Sequence, residues 1–239
     1  MATDVIDVEN SNLVLIRTMS DTVETDIRRV YEVCNEALEL FQKTQLSFEE
    51  LRRIADGPLD LFMIPLAFPE KCESDPDIIY DESLRKDLRD ILIGAAKKRG
   101  YDQNPPDLVP GIEGSLRTTR DMGIKNYLLT TSGGRFRHKA TQRLAKYFDG
   151  IINRSQTYYR KEQGIYHLLS ETKLEPDQVV ILTGTASYIR AARHLGVHTV
   201  SLAWEYAYND ETTLRSAKPE EVIHDLQELP VILESYFKG

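Results

Sequence analysis

The sequence has few of the residues that stabilise small secreted or metal-bound proteins. Only two cysteines, Cys34 and Cys72, occur in 239 residues, too few and too far apart for a disulfide framework or a zinc site. No stretch approaches the ~18 uninterrupted apolar residues of a membrane span. The first residues lack the basic and apolar regions of a signal peptide, so none is expected. These absences predict a protein of the reducing cytoplasm.

Positive charge is also scarce. The chain has 30 Lys and Arg against 38 Asp and Glu, a formal net charge of −8 and a pI near 5.3. Such an acidic balance argues against a nucleic-acid-binding surface or a polybasic membrane patch. The hydrophobic fraction of 41% is ordinary for a globular protein. A chain of this length can hold one core, or one core plus a small subdomain.

Helical periodicity dominates the first half of the chain. Apolar residues three and four apart over Val23–Phe41 predict an amphipathic helix. Ser47, with Glu50 three residues later, predicts the N-cap of a second helix, and Leu84–Ala95 predict another. A loop rich in acids is expected around three prolines: Pro65, Pro69 and Pro76. We therefore predict that residues 30–104 form an almost purely helical segment.

After Pro106 the pattern changes to alternating strands and helices. Short apolar runs predict strands at Leu13–Ile16, Tyr127–Leu129, Ile151–Ile152, Val179–Leu182 and His198–Leu202. Mostly apolar strands that alternate with helices indicate a parallel sheet covered on both faces. We predict an α/β protein with a Rossmann-like core from residues 1–29 and 105–239. Residues 30–104 would form a helical cap domain, inserted after the first strand.

Five segments carry a more specific pattern. The predicted first strand is followed by Arg17-Thr18-Met19-Ser20-Asp21-Thr22-Val23, and the others are Asp107–Lys125, Tyr147–Ile152, Thr185–Val197 and Trp204–Leu229. In this order they resemble the scaffold of phosphatases of the haloacid dehalogenase (HAD) superfamily, especially its phosphoglycolate-phosphatase-like branch. The resemblance covers nearly the whole chain. It implies a HAD-like core with an inserted helical cap.

The resemblance also implies a reaction whose reactive groups this chain lacks. Family members attack a phosphoryl group with an aspartate from Asp-x-Asp-Gly-Thr, and water then hydrolyses the aspartyl phosphate. With Thr22 set on the motif's threonine, Thr18 falls on the nucleophile and Ser20 on the acid/base aspartate. A phosphothreonine is an ordinary ester that would not turn over as an acyl phosphate does. Ser20 cannot transfer protons near neutral pH. Both residues can also be read as small polar loop residues.

The fourth motif decides whether the family's Mg²⁺ is expected. The family has an acid in a Gly-Asp-Ser or Asp-Asp sequence and a second acid about four residues later, whereas this chain reads Thr183–Ile189 there. Gly184 stands at the first acid and Tyr188 at the second. Mg²⁺ needs hard oxygen ligands, usually carboxylates. Because all four acids are replaced, we predict no metal site and no bound metal.

Some phosphate-binding positions are retained in the resemblance. Thr130, Thr131 and Ser132 fall on the second motif, whose hydroxyl and nearby amides hold phosphate in the family. The third motif's lysine falls on Arg160 or Lys161, with a register uncertain by one residue because the usual prolines are absent. A cation there would neutralise phosphate charge. The alternative is that this is the solvated start of a helix.

Two classes of function remain open. The first is a pseudophosphatase, a binding or regulatory protein with a metal-free pocket for a small phosphorylated ligand or a cap that contacts a protein partner. The second is an active phosphatase on a metabolite such as phosphoglycolate. Its acid would be Asp7 or Glu9 in the shifted motif Asp7–Ser11, which lacks a preceding buried strand, or Asp21. Neither class predicts a nucleic-acid or membrane partner.

Overall fold

Six parallel strands form the centre of the fold. The structure is a computed structural model that describes residues 13–55, 59–101, 103–104, 106–130, 142–153 and 161–237. The strands are β1 (Val14–Thr18), β2 (Lys125–Thr130), β3 (Gly150–Asn153), β4 (Val179–Thr183), β5 (His198–Leu202) and β6 (Glu221–Ile223). Their order is β3-β2-β1-β4-β5-β6, and every neighbouring pair is parallel. The predicted α/β class and parallel sheet are confirmed.

Helices cover both faces of this sheet. In chain order the helices are α1 (Met19–Thr22), α2 (Ile27–Leu40), α3 (Phe48–Ile54), α4 (Leu59–Ala67), α5 (Pro69–Ser74), α6 (Glu82–Lys98), α7 (Ile112–Asp121), α8 (Lys161–Thr172), α9 (Ala186–His194), α10 (Glu211–Ser216) and α11 (Leu229–Phe237). Successive side chains of a strand point to opposite faces, so Leu15 and Ile16 enter different apolar clusters. The cluster of Leu15 packs under α7 and α11, and that of Ile16 under α8 and α9.

The helices α2 to α6 bury an apolar cluster of their own, which includes Cys34, Leu51 and Leu88. Ser47 caps α3 as predicted. Its hydroxyl accepts from the Glu50 amide at 3.2 Å, and the Glu50 carboxylate accepts from the Ser47 amide at 2.7 Å. This reciprocal arrangement satisfies two backbone donors that a helix start leaves open.

The chain leaves and re-enters the sheet region at one place. Glu24 and Leu108 form an antiparallel bridge there. The Thr25 amide donates to the Asp107 carbonyl at 2.9 Å, and the Val109 amide to the Val23 carbonyl at 3.0 Å. The helical segment thus begins and ends on a short paired neck. The cap limits of residues 30 and 104 stay a prediction.

Several predicted boundaries were wrong. The first strand extends through Arg17 to Thr18 instead of ending at Ile16, because both side chains are buried with the rest of β1. The helix predicted from Val23 begins at Ile27. The predicted acidic loop is helical: Pro65 lies inside α4, Pro69 is the first residue of α5, and Pro76 begins the 3₁₀ helix Pro76–Tyr80. Pro69 and Pro76 lack only an amide that a first helical turn leaves unpaired.

Arg17 is an unusual residue for the middle of a sheet. Its register neighbours Leu128 and Leu182 belong to the apolar cluster under α7. Nη2 donates to Ser115 Oγ at 2.9 Å, whereas Nε and Nη1 have no partner among the described residues. Burial lowers the pKa of this guanidinium to about 9. The side chain therefore costs stability where it lies.

No helix in the described part of the chain is both long and apolar enough to cross a membrane. The cytoplasmic location inferred from cysteine usage stays a prediction.

Candidate functional site

The candidate site lies where β1 and β4 end side by side. Thr18 is the last residue of β1 and is buried, so the interpretation of Thr18 as a loop residue is wrong. Its carbonyl accepts from the Thr22 hydroxyl at 2.6 Å, which closes the single turn of α1. Thr183 is the last residue of β4, and its hydroxyl lies 3.0 Å from that of Thr18. The carboxyl ends of parallel strands are where open α/β sheets bind ligands.

Asp21, in α1, directs its carboxyl group into this junction. Thr18 Oγ1 donates a hydrogen bond to Oδ1. Oδ2 accepts three more, from Thr183 Oγ1 at 3.2 Å, the Gly184 amide at 2.9 Å and Thr185 Oγ1 at 2.7 Å. The carboxyl group thus joins the first and fourth motifs directly. We call these four donors and the carboxyl group the Asp21 cluster.

The Asp21 cluster is closed to solvent, since Asp21 is only 1% exposed. Burial raises the pKa of Asp21 above its usual range, and the four hydrogen bonds act in the opposite direction. The backbone is also fixed, because Trp204 Nε1 donates to the Asp21 carbonyl at 3.0 Å. A carboxyl group held in this way is satisfied by the protein itself and is not presented to a substrate.

Gly184 has no space for a side chain. A Cβ atom at this position would lie 2.7 Å from the Ala207 Cβ, 2.9 Å from the Ala207 Cα and 3.2 Å from the Leu202 carbonyl oxygen. Two of these neighbours are backbone atoms, which cannot turn aside as a flexible side chain would. The position where the family has its first metal-binding acid in this motif is therefore closed to any larger residue.

The residues present do not fit the Mg²⁺ that the HAD resemblance implies. Thr18, Gly184 and Tyr188 offer no carboxylate, and both oxygens of Asp21 already accept hydrogen bonds inside the protein. Among the described residues, no group of three or more His, Cys, Asp or Glu side chains is arranged to hold a metal ion. Mg²⁺ prefers octahedral sites of oxygen ligands, usually with carboxylates. That the protein binds no metal stays a prediction.

Lys161, a predicted phosphate-binding residue, lies at the start of α8 and contacts the fourth motif. Nζ donates a hydrogen bond to the Ser187 hydroxyl and lies 4.4 Å from the centre of the Tyr188 ring. Lys161 is only 9% exposed, so the alternative of a solvated helix start is wrong. Tyr188 stands where the family has the second acid of its fourth motif, and its aromatic ring contacts the Lys161 ammonium group.

The structure describes only some of the other predicted site residues. Thr130 is the last residue of β2, and its buried hydroxyl has no partner among the described residues. The predicted phosphate-binding residues Thr131, Ser132 and Arg160 lie outside the described residues, as do Asp7 and Glu9 of the shifted motif. The backbone of Ser20 lies in α1, but its side chain is not described.

Asn209 has a structural role beside the site that the sequence did not reveal. It is fully buried, and its Oδ1 accepts from the Ala186 amide at the start of α9 at 2.8 Å. Its Nδ2 donates to the carbonyls of Arg52 and Ala55, at the end of α3, at 2.9 and 3.0 Å. One amide side chain therefore ties the helical segment to the fourth motif. A lone asparagine in a loop carries no local signal of such a role.

The Asp21 cluster, by contrast, left a signal in the sequence. The family's first motif has glycine where this chain has Asp21, and its fourth motif has an acid where this chain has Gly184. This reciprocal exchange indicates that the two positions are neighbours, and the hydrogen bond between them bears this out.

The strand order and the helices inserted after the first strand define a HAD-like α/β fold. Among solved structures, a predicted phosphoglycolate phosphatase from Haemophilus somnus is 16% identical with a TM-score of 0.71 and covers 94% of this chain and 99% of its own. A haloacid dehalogenase-like hydrolase from Streptococcus pneumoniae is 17% identical, with a TM-score of 0.71 and coverages of 94% and 100%. A predicted phosphatase from Clostridium acetobutylicum is 17% identical, with a TM-score of 0.71 and coverages of 93% and 98%.

These likenesses establish the HAD-like fold that the sequence resemblance implied. A scan of protein-family models and a search of curated proteins gave no match. At such low identities a shared fold does not carry a shared reaction, so the function must be argued from the residues of the site.

Proposed function

We propose that this chain is a non-catalytic HAD-like protein, a pseudophosphatase that binds a ligand and does not hydrolyse it. One observation carries the proposal. The carboxyl group of Asp21, which lies at the junction of β1 and β4, is buried and accepts four hydrogen bonds from the protein. A nucleophile must reach the phosphorus atom, and this carboxyl group has neither exposure nor a free oxygen.

Thr18 does not replace the missing nucleophile. Its hydroxyl donates to Asp21, an arrangement that resembles a nucleophile beside its base. Attack by Thr18 on a phosphate monoester would form a P–O bond to Oγ1, release the substrate's alcohol and leave a phosphothreonine ester. That ester is not an acyl phosphate, so it would accumulate after one turnover. Sustained catalysis therefore does not follow from this pair.

We propose a small phosphorylated compound as the ligand. Two observations support it: the Thr130 hydroxyl is buried at the end of β2 without a partner among the described residues, and Lys161 supplies a cation near the fourth motif. A buried hydroxyl without a partner costs about 1–3 kcal/mol, and a ligand oxygen would recover that energy. The neighbouring residues Thr131, Ser132 and Arg160 belong to the same proposal.

The test is a hydrolysis assay of the full chain on p-nitrophenyl phosphate and phosphoglycolate, with and without millimolar Mg²⁺. We expect no turnover above background in either condition. Thr18→Asp alone should not restore activity, because Gly184 leaves no room for a second acid. Intact mass spectrometry after the incubation should show no added phosphoryl group.

Robust wild-type turnover would contradict the proposal, and three variants would then locate the acid. Turnover that survives Thr18→Ala but is lost in Asp7→Asn would favour the shifted motif at Asp7–Ser11. Turnover lost in Asp21→Asn would assign the reaction to the Asp21 cluster.

A further inference from the structure

We propose that the Asp21 cluster is an anion-binding cradle that the protein fills with its own carboxyl group, and that removal of that group creates a site for a small carboxylate such as formate. The inference rests on the proposed function and deepens it. An active phosphatase of this fold would need the position of the Asp21 cluster for its Mg²⁺, and that position would then not be an anion site. In the intact chain the Asp21 side chain acts as an internal ligand. It keeps free anions out of the junction where β1 and β4 end.

The chemistry of the cluster is that of an anion site. The Gly184 amide can only donate, and the Thr18, Thr183 and Thr185 hydroxyls all contact the carboxyl oxygens of Asp21. Hydrogen bonds to an ionised carboxyl group are about twice as strong as those between neutral groups. An amide N–H and hydroxyl groups that donate hydrogen bonds favour an oxyanion over a metal cation.

The start of α9 adds to the same polarity. This helix begins at Ala186, and the Ala186 amide already donates a hydrogen bond to Asn209 Oδ1. The N-cap residue Thr185 uses its hydroxyl for Asp21 and not for its own helix. A negative group here also interacts favourably with the partial positive charge of a helix start.

Ser201 gives independent evidence for a larger donor surface than Asp21 uses. It pairs with Thr183 in the register of β4 and β5, so its side chain lies on the same face of the sheet. Its Oγ is fully buried and has no partner among the described residues. The row of hydroxyls from Thr18 through Thr183 thus continues to Ser201. The Ser201 hydroxyl is an additional potential donor that Asp21 does not use.

The experiment is chemical rescue of Asp21→Gly, which removes the carboxyl group and restores the residue that the HAD motif has at this position. Melting temperatures are measured in sodium formate, sodium acetate and sodium chloride at equal ionic strength. We expect the variant to melt lower than the wild type. Formate should then raise its melting temperature saturably by about 2–4 °C relative to chloride, with no formate-specific rise in the wild type.

Two further variants serve as controls. Asp81→Gly removes an exposed carboxylate that caps α6 through the Leu84 amide, and formate should not stabilise it above chloride. Asp21→Asn keeps the cradle filled, so it should be destabilised without being rescued. If Asp21→Gly is unfolded at rest, recovery of its far-ultraviolet circular dichroism in formate is the readout.

Equal melting of Asp21→Gly in formate and in chloride, without recovery of folding, would overturn the inference. A formate-specific rise in the wild type would overturn it as well, because the cradle would then be open. Neither result bears on hydrolysis. Wild-type turnover of a phosphate monoester would instead contradict the proposed function, so the two failures are distinguishable.

Discussion

Restoring one family acid should damage this protein instead of activating it. In Gly184→Asp the new Cβ would meet the Ala207 Cβ at 2.7 Å and the Ala207 Cα at 2.9 Å. Overpacking of this kind costs about 1–3 kcal/mol. The new carboxyl group would also be buried beside Asp21, whose Oδ2 lies 2.9 Å from the Gly184 amide nitrogen. Two neighbouring buried carboxyls cannot both ionise easily, which adds about 2 kcal/mol.

The assay is urea unfolding followed by circular dichroism, with Gly184→Ala as the matched variant. Gly184→Ala should lose about 1–3 kcal/mol through overpacking alone, and Gly184→Asp should lose about 2 kcal/mol more. In the double variant Asp21→Gly/Gly184→Asp the electrostatic part should disappear and the steric part should remain. A Gly184→Asp protein as stable as the wild type would refute the reasoning. Saturable Mg²⁺ binding by that variant would refute it more strongly.

The remaining predictions concern residues outside the cluster. Arg17→Met should raise the free energy of unfolding by about 1–4 kcal/mol, because an incompletely paired buried charge is replaced by an apolar chain; a loss of stability in urea unfolding would contradict this. Asn209→Ala should cost about 2–4 kcal/mol and speed amide hydrogen exchange at the end of α3, since three backbone groups lose a hydrogen bond to this side chain; unchanged exchange there would contradict the role of Asn209 in joining α3 to the fourth motif. Burial raises the pKa of Cys34 to about 12, so a disulfide reagent at neutral pH should modify Cys72 in the folded protein and Cys34 only after unfolding; equal reactivity would contradict the buried position.

Much of the fold was predictable because it depends on short-range patterns. The run at Val179–Leu182 is continuously apolar, and Thr199 and Val200 make the run at His198–Leu202 rich in β-branched residues, which favours strands buried on both faces. Ser47 and Glu50 form a capping box that is visible from spacing alone. The segment around Pro65 and Pro69 was predicted wrongly, because burial of α4 against its neighbours outweighs the cost of about 3 kcal/mol for a proline inside a helix.

The site was predictable only in part. Placing Thr18, Gly184 and Tyr188 on the family's acid positions required nothing but motif spacing. What fills the space they leave depends on contacts between distant segments, such as those of Asp21 with Gly184 and of Lys161 with Tyr188. A single sequence does not record such contacts unless two positions change together.

The central claim is that this protein binds a small phosphorylated compound without hydrolysing it. Phosphorus NMR of phosphoglycolate with a stoichiometric amount of the full chain and millimolar Mg²⁺ tests both parts in one sample. We expect the phosphoglycolate resonance to shift or broaden in the presence of the protein and no inorganic phosphate to form. An inorganic phosphate signal that grows in proportion to the protein, or a resonance that the protein leaves unchanged, would contradict it.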